Sequence, residues 1–417
     1  MIAFWHCFSD FRSVFYISFK ATKKNWGVLM KCVFAILSLL ALTVPANADD
    51  RPSLKIGVIV PMSGPQAEYG LQMTNGLRLY IDEVGNNFAG RKVELIVRDT
   101  GGADPTVAKR LTQELVVKDQ VDFLAGYGFS PNAFAAAPIA TEAGIPMVVM
   151  NAAASSLPSK SPYIVRFSHT LAQHAYGIAM WANSKAIRTA YTLYADYGPG
   201  RDANTQFVKT FKEGGGQILG EIAAPLQTLD FGPYMQRIKD ARPGAVFMWF
   251  PSGELANTML RAYRERRLEA DGIRALGTSD LVDDMFLNDT GDAAIGLITS
   301  GHYSLAHDSA KNKAFIERYQ RLFGTKIRPN FMAVAAYDGT SAIYQTVTSL
   351  AGKTDRDAAL KILSNLKMES PRGHIEIDPL TRDIVQDIYI RETKRLGDGQ
   401  LYSVEFDKFS AVKDPGK

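Results

Sequence analysis

The sequence predicts an α/β protein made of two doubly wound parallel-sheet lobes joined by a multi-strand hinge. Three observations carry that prediction. From Leu54 onward, short apolar runs alternate with amphipathic stretches, the pattern of βαβ units. The runs, such as LKIGVIVP, are apolar throughout and end in turn residues, as strands buried on both faces do. They are also too numerous for one compact sheet around a single core, so the strands divide between two lobes.

LKIGVIVP opens the first lobe. Leu77, Tyr80, Ile81 and Val84 then fall at i, i+3, i+4 and i+7, one face of a helix. RKVELIVRD is the next strand. In DPTVAKRLTQELVVKD, Asp104 stands at the cap and Pro105 at the first helical position, with Val107, Leu111 and Leu115 as the apolar stripe. VDFLAG, PMVVM and YIVRFS continue the strands, with a helix from about Pro131 to Ala143 between the first two. A second series follows. It runs as strand TAYTLYA, a helix near 201–213 stopped by Gly214–Gly216, strand GQILGEI, a helix near 231–240, strand GAVFMWF, a helix near 252–267 and strand IRALGTS.

The segments near Phe167–Thr170 and GLITSGHYS (296–304) are the expected crossovers between lobes. Helices at about 309–323 and 331–350 return to the first lobe. GHIEIDPLTRDIVQDIYIRE reads as a hairpin of the second lobe, with Ile375, Ile377, Ile384 and Ile388 flanking the turn DPLTR. The expected division is 54–168 with 299–352, then 169–298 with 353–395, then a C-terminal tail over 396–417.

Residues 1–48 stand apart. In MKCVFAILSLLALTVPANADD, Lys31 supplies a basic flank, Val33 to Val44 is a short apolar core, and Ala46-Asn47-Ala48 is a small-x-small cleavage site. The apolar run is shorter than the roughly 20 residues a membrane-spanning helix needs. The expectation is a soluble protein exported to the periplasm and cleaved after Ala48. Translation then begins at Met30, or else residues 1–29 form a long basic n-region with Lys20, Lys23 and Lys24. Removing 1–48 takes away five of the 47 basic residues and one of the 43 acidic ones, so the formal net charge falls from +4 to zero. The apparent basicity belongs to the export signal and gives no support for a nucleic-acid partner. Both cysteines, Cys7 and Cys32, leave as well. That excludes disulfides, thiolate metal sites and cysteine nucleophiles from the remainder.

Motifs for catalysis are missing. No GxSxG elbow and no GxxxxGK[ST] loop occur. GYGFSP (126–131) and GPGRDA (198–203) begin as dinucleotide loops but lack the third glycine. His169 and His174, like His302 and His307, are five apart, unlike the HExxH arrangement; surface or loop histidines are expected. Asp283 and Asp284 read as a solvated pair. No enzyme, cofactor or metal is expected. What remains is binding at loops beyond strand ends. Ser130-Pro131 is a helix start, where free N–H groups and the serine hydroxyl suit a carboxylate. The alternative is that Ser130 only caps its helix.

The stretch IGVIVPMSGPQAEYGLQMTNGLRLYIDEV, then GRKVELIVRDTGGADP, then GYGFS and AAAPIATEAGIPMV, resembles the leucine/isoleucine/valine-binding-protein family. These are type I periplasmic solute-binding proteins of ABC importers, and the resemblance covers nearly all of 54–395. It implies that Ser130 holds a ligand carboxylate and that the NAAASS loop (151–156) assists through Ala153 and a hydroxyl from Ser155 or Ser156. Tyr69 would line the pocket and Tyr197 would close over the ligand from the second lobe. One departure stands out: where relatives place an acid for the ligand ammonium, this chain has GTSD, with Ser279 at that position and Asp280 one residue later. A buried ammonium without an anion is costly. Either Asp280 reaches it, or the ligand is an aromatic or aliphatic acid without an amino group. Phe129, Tyr127, Phe250 and Ser252 suit such a pocket, with Trp249 assigned to the strand core. The expected role is capture of a hydrophobic or branched-chain amino acid, or a related small carboxylate, by lobe closure for an ABC-type permease in the inner membrane. A periplasmic sensor and an enzyme on the same architecture are the competing readings.

Overall fold

The computed structural model describes residues 52–417, so the expected export signal lies outside the described residues. The first sheet has six strands in the order β2-β3-β1-β4-β5-β6. These are β1 (Leu54–Val60), β2 (Asn87–Phe88), β3 (Arg91–Asp99), β4 (Phe123–Gly126), β5 (Met147–Val149) and β6 (Ile164–Arg166). All pairs but β2–β3 are parallel. Helices α1 (Ala67–Glu83), α2 (Pro105–Val117) and α3 (Ser130–Ala143) connect them. Asp104 caps α2 as its sequence requires, its carboxylate accepting from the N–H groups of Thr106 and Val107. Two apolar clusters cover the two faces. Leu111, Leu115 and Ala136 pack on one; Met73, Leu77, Phe331 and Ile343 pack on the other. That double cover is why the strands read as continuous apolar runs.

The second sheet runs β12-β13-β14-β11-β10-β9-β7-β8, with β15 added beside β14. Its parallel half is β7 (Thr189–Ala195), β8 (Gln217–Ala224), β9 (Ala245–Trp249), β10 (Arg274–Thr278) and β11 (Ile298–Gly301). Helices α4 (Leu171–Ser184), α5 (Gly198–Glu213), α6 (Gly232–Ala241) and α7 (Glu254–Glu265) cover it, and a single turn, α8 (Leu287–Thr290), precedes β11. Helices α9 (Ala310–Phe323), α10 (Phe331–Ser349) and α11 (Arg356–Leu363) follow. The antiparallel half comprises β12 (Lys367–Ser370), β13 (Gly373–Ile377), β14 (Ile384–Arg395) and β15 (Leu401–Val412).

The chain passes between the lobe cores three times. Phe167 belongs to the first core and Leu171 to the second; Ile298 belongs to the second and Tyr303 to the first; Ile384 belongs to the first and Ile390 to the second. Two expectations are corrected here. Residues 353–384 are not second-lobe material alone, because Ala359, Leu363, Ile375 and Ile377 bury into the first core. The third crossing therefore lies within β14. Residues 396–417 are not a tail: β15 pairs with β14 over most of its length. Buried and half-exposed residues alternate over Leu401–Val404 and the rest of the strand is largely exposed until Val412, an edge-strand pattern weaker in sequence than that of a buried parallel strand.

The crossings are tied by a buried polar network. Arg372 donates from Nη1 to the Ser168 carbonyl and Gln386 Oε1, both at 2.9 Å, and from Nε to Asp338 Oδ2 at 3.0 Å. Both members of the Arg372–Asp338 pair are fully buried.

Candidate functional site

In open α/β sheets, ligands sit beyond the carboxyl ends of strands, where the strand order reverses. β1 lies between β3 and β4, and β7 between β8 and β9, so each lobe has such a point. One partly open cleft joins them. The connections after β1, β4 and β5 supply Tyr69 from the first turn of α1, Gly128, Phe129, Ser130 at the start of α3, and Asn151–Ala153. The connections after β7, β9 and β10 supply Tyr197, Pro199 at the start of α5, Pro251 and Asp280, with Trp249 from the end of β9 itself. His169 and Leu171, from the first crossing, complete the wall.

The first-lobe wall is a donor wall. Ser130 is the first residue of α3; Phe129 takes the cap position, and no side chain caps the helix. The Ser130 hydroxyl instead accepts from the Ala154 N–H at 3.1 Å, which leaves its own proton to donate. This corrects the capping alternative. The N–H groups of a helix's first turn have no partner within the helix and carry its positive end. Behind the 151–154 loop, buried Arg166 donates from Nη1 to the carbonyls of Ala152 and Ala154 at 3.0 and 2.9 Å and pairs with Asp383. The wall therefore suits an anion. Tyr69 and Phe129 stack beside it, with ring centroids 5.6 Å apart.

The second-lobe wall is acidic and aromatic. Asp280 accepts from Thr278 Oγ1 at 2.7 Å, and burial holds its carboxyl above the usual carboxylate range. Tyr197 and Trp249 pack at 5.6 Å, and burial with the neighbouring Asp280 pushes the Tyr197 phenol up. The lobes meet at the rim. The Tyr69 hydroxyl donates to the Ser252 carbonyl at 3.2 Å, and Asn330 Nδ2 donates to both Asp283 oxygens at 3.0 and 2.9 Å.

Of the residues singled out from sequence, Ser130, Tyr69, Phe129, Ala153, Tyr197 and Asp280 line this cavity. Three do not. Phe250 packs edge-on against Phe231 in the second core, Ser252 stands at the rim, and Ser155 donates to Asp414 Oδ1 at 3.1 Å. The assignments of Trp249 and Phe250 are thus exchanged, because β9 ends at Trp249 and the next residue turns inward. Tyr127 also leaves the site; it is buried among α2 and α3, with its hydroxyl 3.3 Å from Thr112 Oγ1. Asp283 and Asp284 are buried rather than solvated, and burial raises Asp283 to about 7.

The histidines are the largest correction. His169, His174 and His302 are buried and stacked, not exposed in loops. One nitrogen from each lies within 4.8 Å of the other two, the spacing of a candidate metal centre. The ring geometry opposes that use. His169 and His174 stack at 4.5 Å with planes 3° apart, and lone pairs lying in parallel planes do not converge on one ion. Burial keeps all three imidazoles neutral, and the nearby guanidiniums of Arg372 and, for individual rings, Arg166 or Arg391 add to it; these charges also repel a cation. The signal available in sequence was position: His169 and His302 both fall in the expected crossovers.

Two sheets, three crossings and a cavity at the strand ends between them define a two-lobed receptor for a small solute. A family model described as "Periplasmic binding protein" matches residues 53–400, and the chain belongs to that family. It is 40% identical over 382 residues to Leu/Ile/Val-binding protein homolog 6 of Brucella abortus (strain 2308), covering 92% of this chain and 98% of that relative. Among solved structures, it resembles a solute-binding protein of an ABC transporter from Rhodopseudomonas palustris BisB5 in complex with 3,4-dihydroxybenzoic acid. Identity there is 47% and the TM-score 0.83, covering 87% of this chain and 99% of that one. It also resembles a solute-binding protein of an ABC transporter from Rhodopseudomonas palustris HaA2 in complex with p-hydroxybenzoic acid, at 41% identity and TM-score 0.85, covering 88% and 99%. This protein is a solute-binding protein of the ABC-transporter class.

Proposed function

We propose that the solute is an aromatic carboxylate of the hydroxybenzoate class. The observation that carries this reading is the polarity of the cavity: an anion-binding wall at Ser130 faces a wall of Asp280, Tyr197 and Trp249, with the Tyr69–Phe129 stack at the side. A flat ring with a carboxylate at one edge and a hydroxyl at another meets both walls. Ser130, the first-turn N–H groups of α3 and the Ala153 loop take the carboxylate, and Tyr69 and Phe129 pack the ring. The two structures at 41 and 47% identity, whose bound ligands are hydroxylated benzoic acids, support the same chemistry.

Capture is by closure and without turnover. A ligand that bridges both walls stabilises only the closed arrangement, so binding shifts the population toward it. The closed protein then delivers to an ABC-type permease of the inner membrane, after export and cleavage behind Ala48.

One observation favours a second reading. Asp280 lies in the cavity, where it could pair with the ammonium of a branched-chain amino acid. Thermal-shift titration separates the two, because a ligand that binds only the native state raises the midpoint by mass action. Benzoate, 4-hydroxybenzoate and 3,4-dihydroxybenzoate are run against leucine, valine and phenylalanine. Stabilisation by the hydroxybenzoates alone is expected; stabilisation by the amino acids alone overturns the proposal.

A further inference from the structure

His169 lines the cavity, is buried, and its Nδ1 has no hydrogen-bond partner. Buried polar nitrogens without partners are rare, because the lost hydration is not replaced. His302 Nε2 is also buried without a partner, but of the three rings only His169 lines the cavity, and the other two bond to each other. The Ser279 hydroxyl lies 3.3 Å from His174 Nδ1, and His174 Nε2 lies 3.0 Å from His302 Nδ1. One side of the His169 ring is also committed, stacking on His174 at 4.5 Å and on His302 at 4.8 Å, whose own centroids are 5.2 Å apart, while Phe331 stands edge-on at 5.6 Å. What the ring has left unpaired is its Nδ1 edge. Burial, with Arg166 and Arg372 nearby, pushes its pKa down to about 3, so across the neutral range it keeps one bare, accepting nitrogen.

We infer that His169 is a ring-hydroxyl subsite: its neutral imidazole accepts a hydrogen bond from the hydroxyl of the bound aromatic acid and selects hydroxylated benzoates over benzoate itself. The inference rests on the aromatic-carboxylate reading above. The physical basis is the asymmetry of buried hydrogen bonding. A site built to pair with a hydroxyl is left with an unpaired polar atom by the analogue that lacks it, and it rejects that analogue more strongly than an apolar pocket could. The stack behind His169 fixes the ring's plane, since tilting it would break the packing on two other imidazoles.

The experiment measures, by calorimetry, the ratio of dissociation constants of benzoate and of the preferred hydroxybenzoate isomer. Wild type, His169→Phe, His169→Asn and Asp280→Asn are compared. His169→Phe retains an aromatic ring but offers no acceptor, and the ratio is expected to fall by about 10- to 100-fold. His169→Asn, which keeps a polar atom near the Nδ1 position, is expected to recover part of it. A ratio unchanged in His169→Phe, or one that collapses only in Asp280→Asn, overturns the inference and leaves the aromatic-carboxylate reading standing. A wild type that binds benzoate and hydroxybenzoates equally does the same. A wild type that binds no aromatic carboxylate overturns both. Should the variants fail to fold, ¹⁵N spectra of histidine-labelled wild type decide. A bare ring nitrogen is expected to move upfield with hydroxybenzoate and not with benzoate; identical spectra overturn the inference.

Discussion

In each lobe, the helix after the first strand passes so close to the strand end that only glycine fits. A Cβ on Gly70 would lie 1.9 Å from the Pro61 carbonyl oxygen, and one on Gly200 would lie 2.0 Å from that of Ala195. The two cleft walls thus share a construction, yet they offer opposite chemistry. The first lobe presents a hydroxyl and helix N–H groups braced by Arg166. The second presents a buried carboxyl and an indole. The contrast shows how a pseudo-symmetric frame can bind an unsymmetric ligand in one orientation. Symmetry sets where the loops lie, and the residues on them set the sign of each wall.

The contrast can be broken hardest at Arg166. Arg166→Leu removes the brace of the donor wall and leaves buried Asp383 with Lys417 as its remaining ionic partner. A loss of roughly 3–5 kcal/mol in denaturant-determined stability is expected, together with loss of ligand binding.

A smaller effect, and one that depends on pH, is expected where the walls meet at Asp283. Burial raises this carboxyl from 3.8 to about 7. A folded-state value above the unfolded one means that folding retains a proton. The stabilisation is complete below about pH 4, is lost as pH rises through about 7, and is constant beyond. The histidine stack has the opposite sign: its depressed values make stability fall as pH drops below about 6.5. The difference between wild type and Asp283→Asn therefore isolates the aspartate. Relative to wild type, the variant is expected to gain stability between pH 4 and 7, by on the order of 1–3 kcal/mol, as read from urea midpoints. A difference that does not vary with pH would remove Asp283 as the titrating group.

Ser130→Ala sharpens the comparison further, since it deletes one donor and leaves the Ala154 N–H without its acceptor. Affinity for the carboxylate is expected to fall about 10- to 100-fold, measured by calorimetry, while the second wall is untouched. Smallest is Tyr69→Phe, which removes the hydroxyl that reaches the Ser252 carbonyl across the rim. Up to about tenfold faster ligand release is expected in stopped flow, the range of one neutral hydrogen bond.

How much of this was legible in sequence follows the same division. The donor wall comes from short contiguous stretches, SGPQAEYG and GYGFS, in which a turn, a helix start and the functional side chain lie within ten residues; Tyr69, Phe129 and Ser130 could be read there. The second wall draws one or two residues from each of three strand ends, so it depends on where each strand stops. A one-residue difference at β9 exchanged Trp249 for Phe250. The C-terminal β15 was missed because an edge strand with one solvated face lacks the apolar run that marks a buried strand.

The sequence by itself determined the α/β class, the two lobes and the loop that opens α3 at Ser130, because period, capping and turn chemistry act between residues close in the chain. Only the tertiary structure decided the fate of His169, His174 and His302. The last lies 128 residues beyond His174, and they meet only because the first two crossings run side by side. Whether an imidazole is solvated, charged or poised as a neutral acceptor depends on what surrounds it, and that is a property of long-range packing.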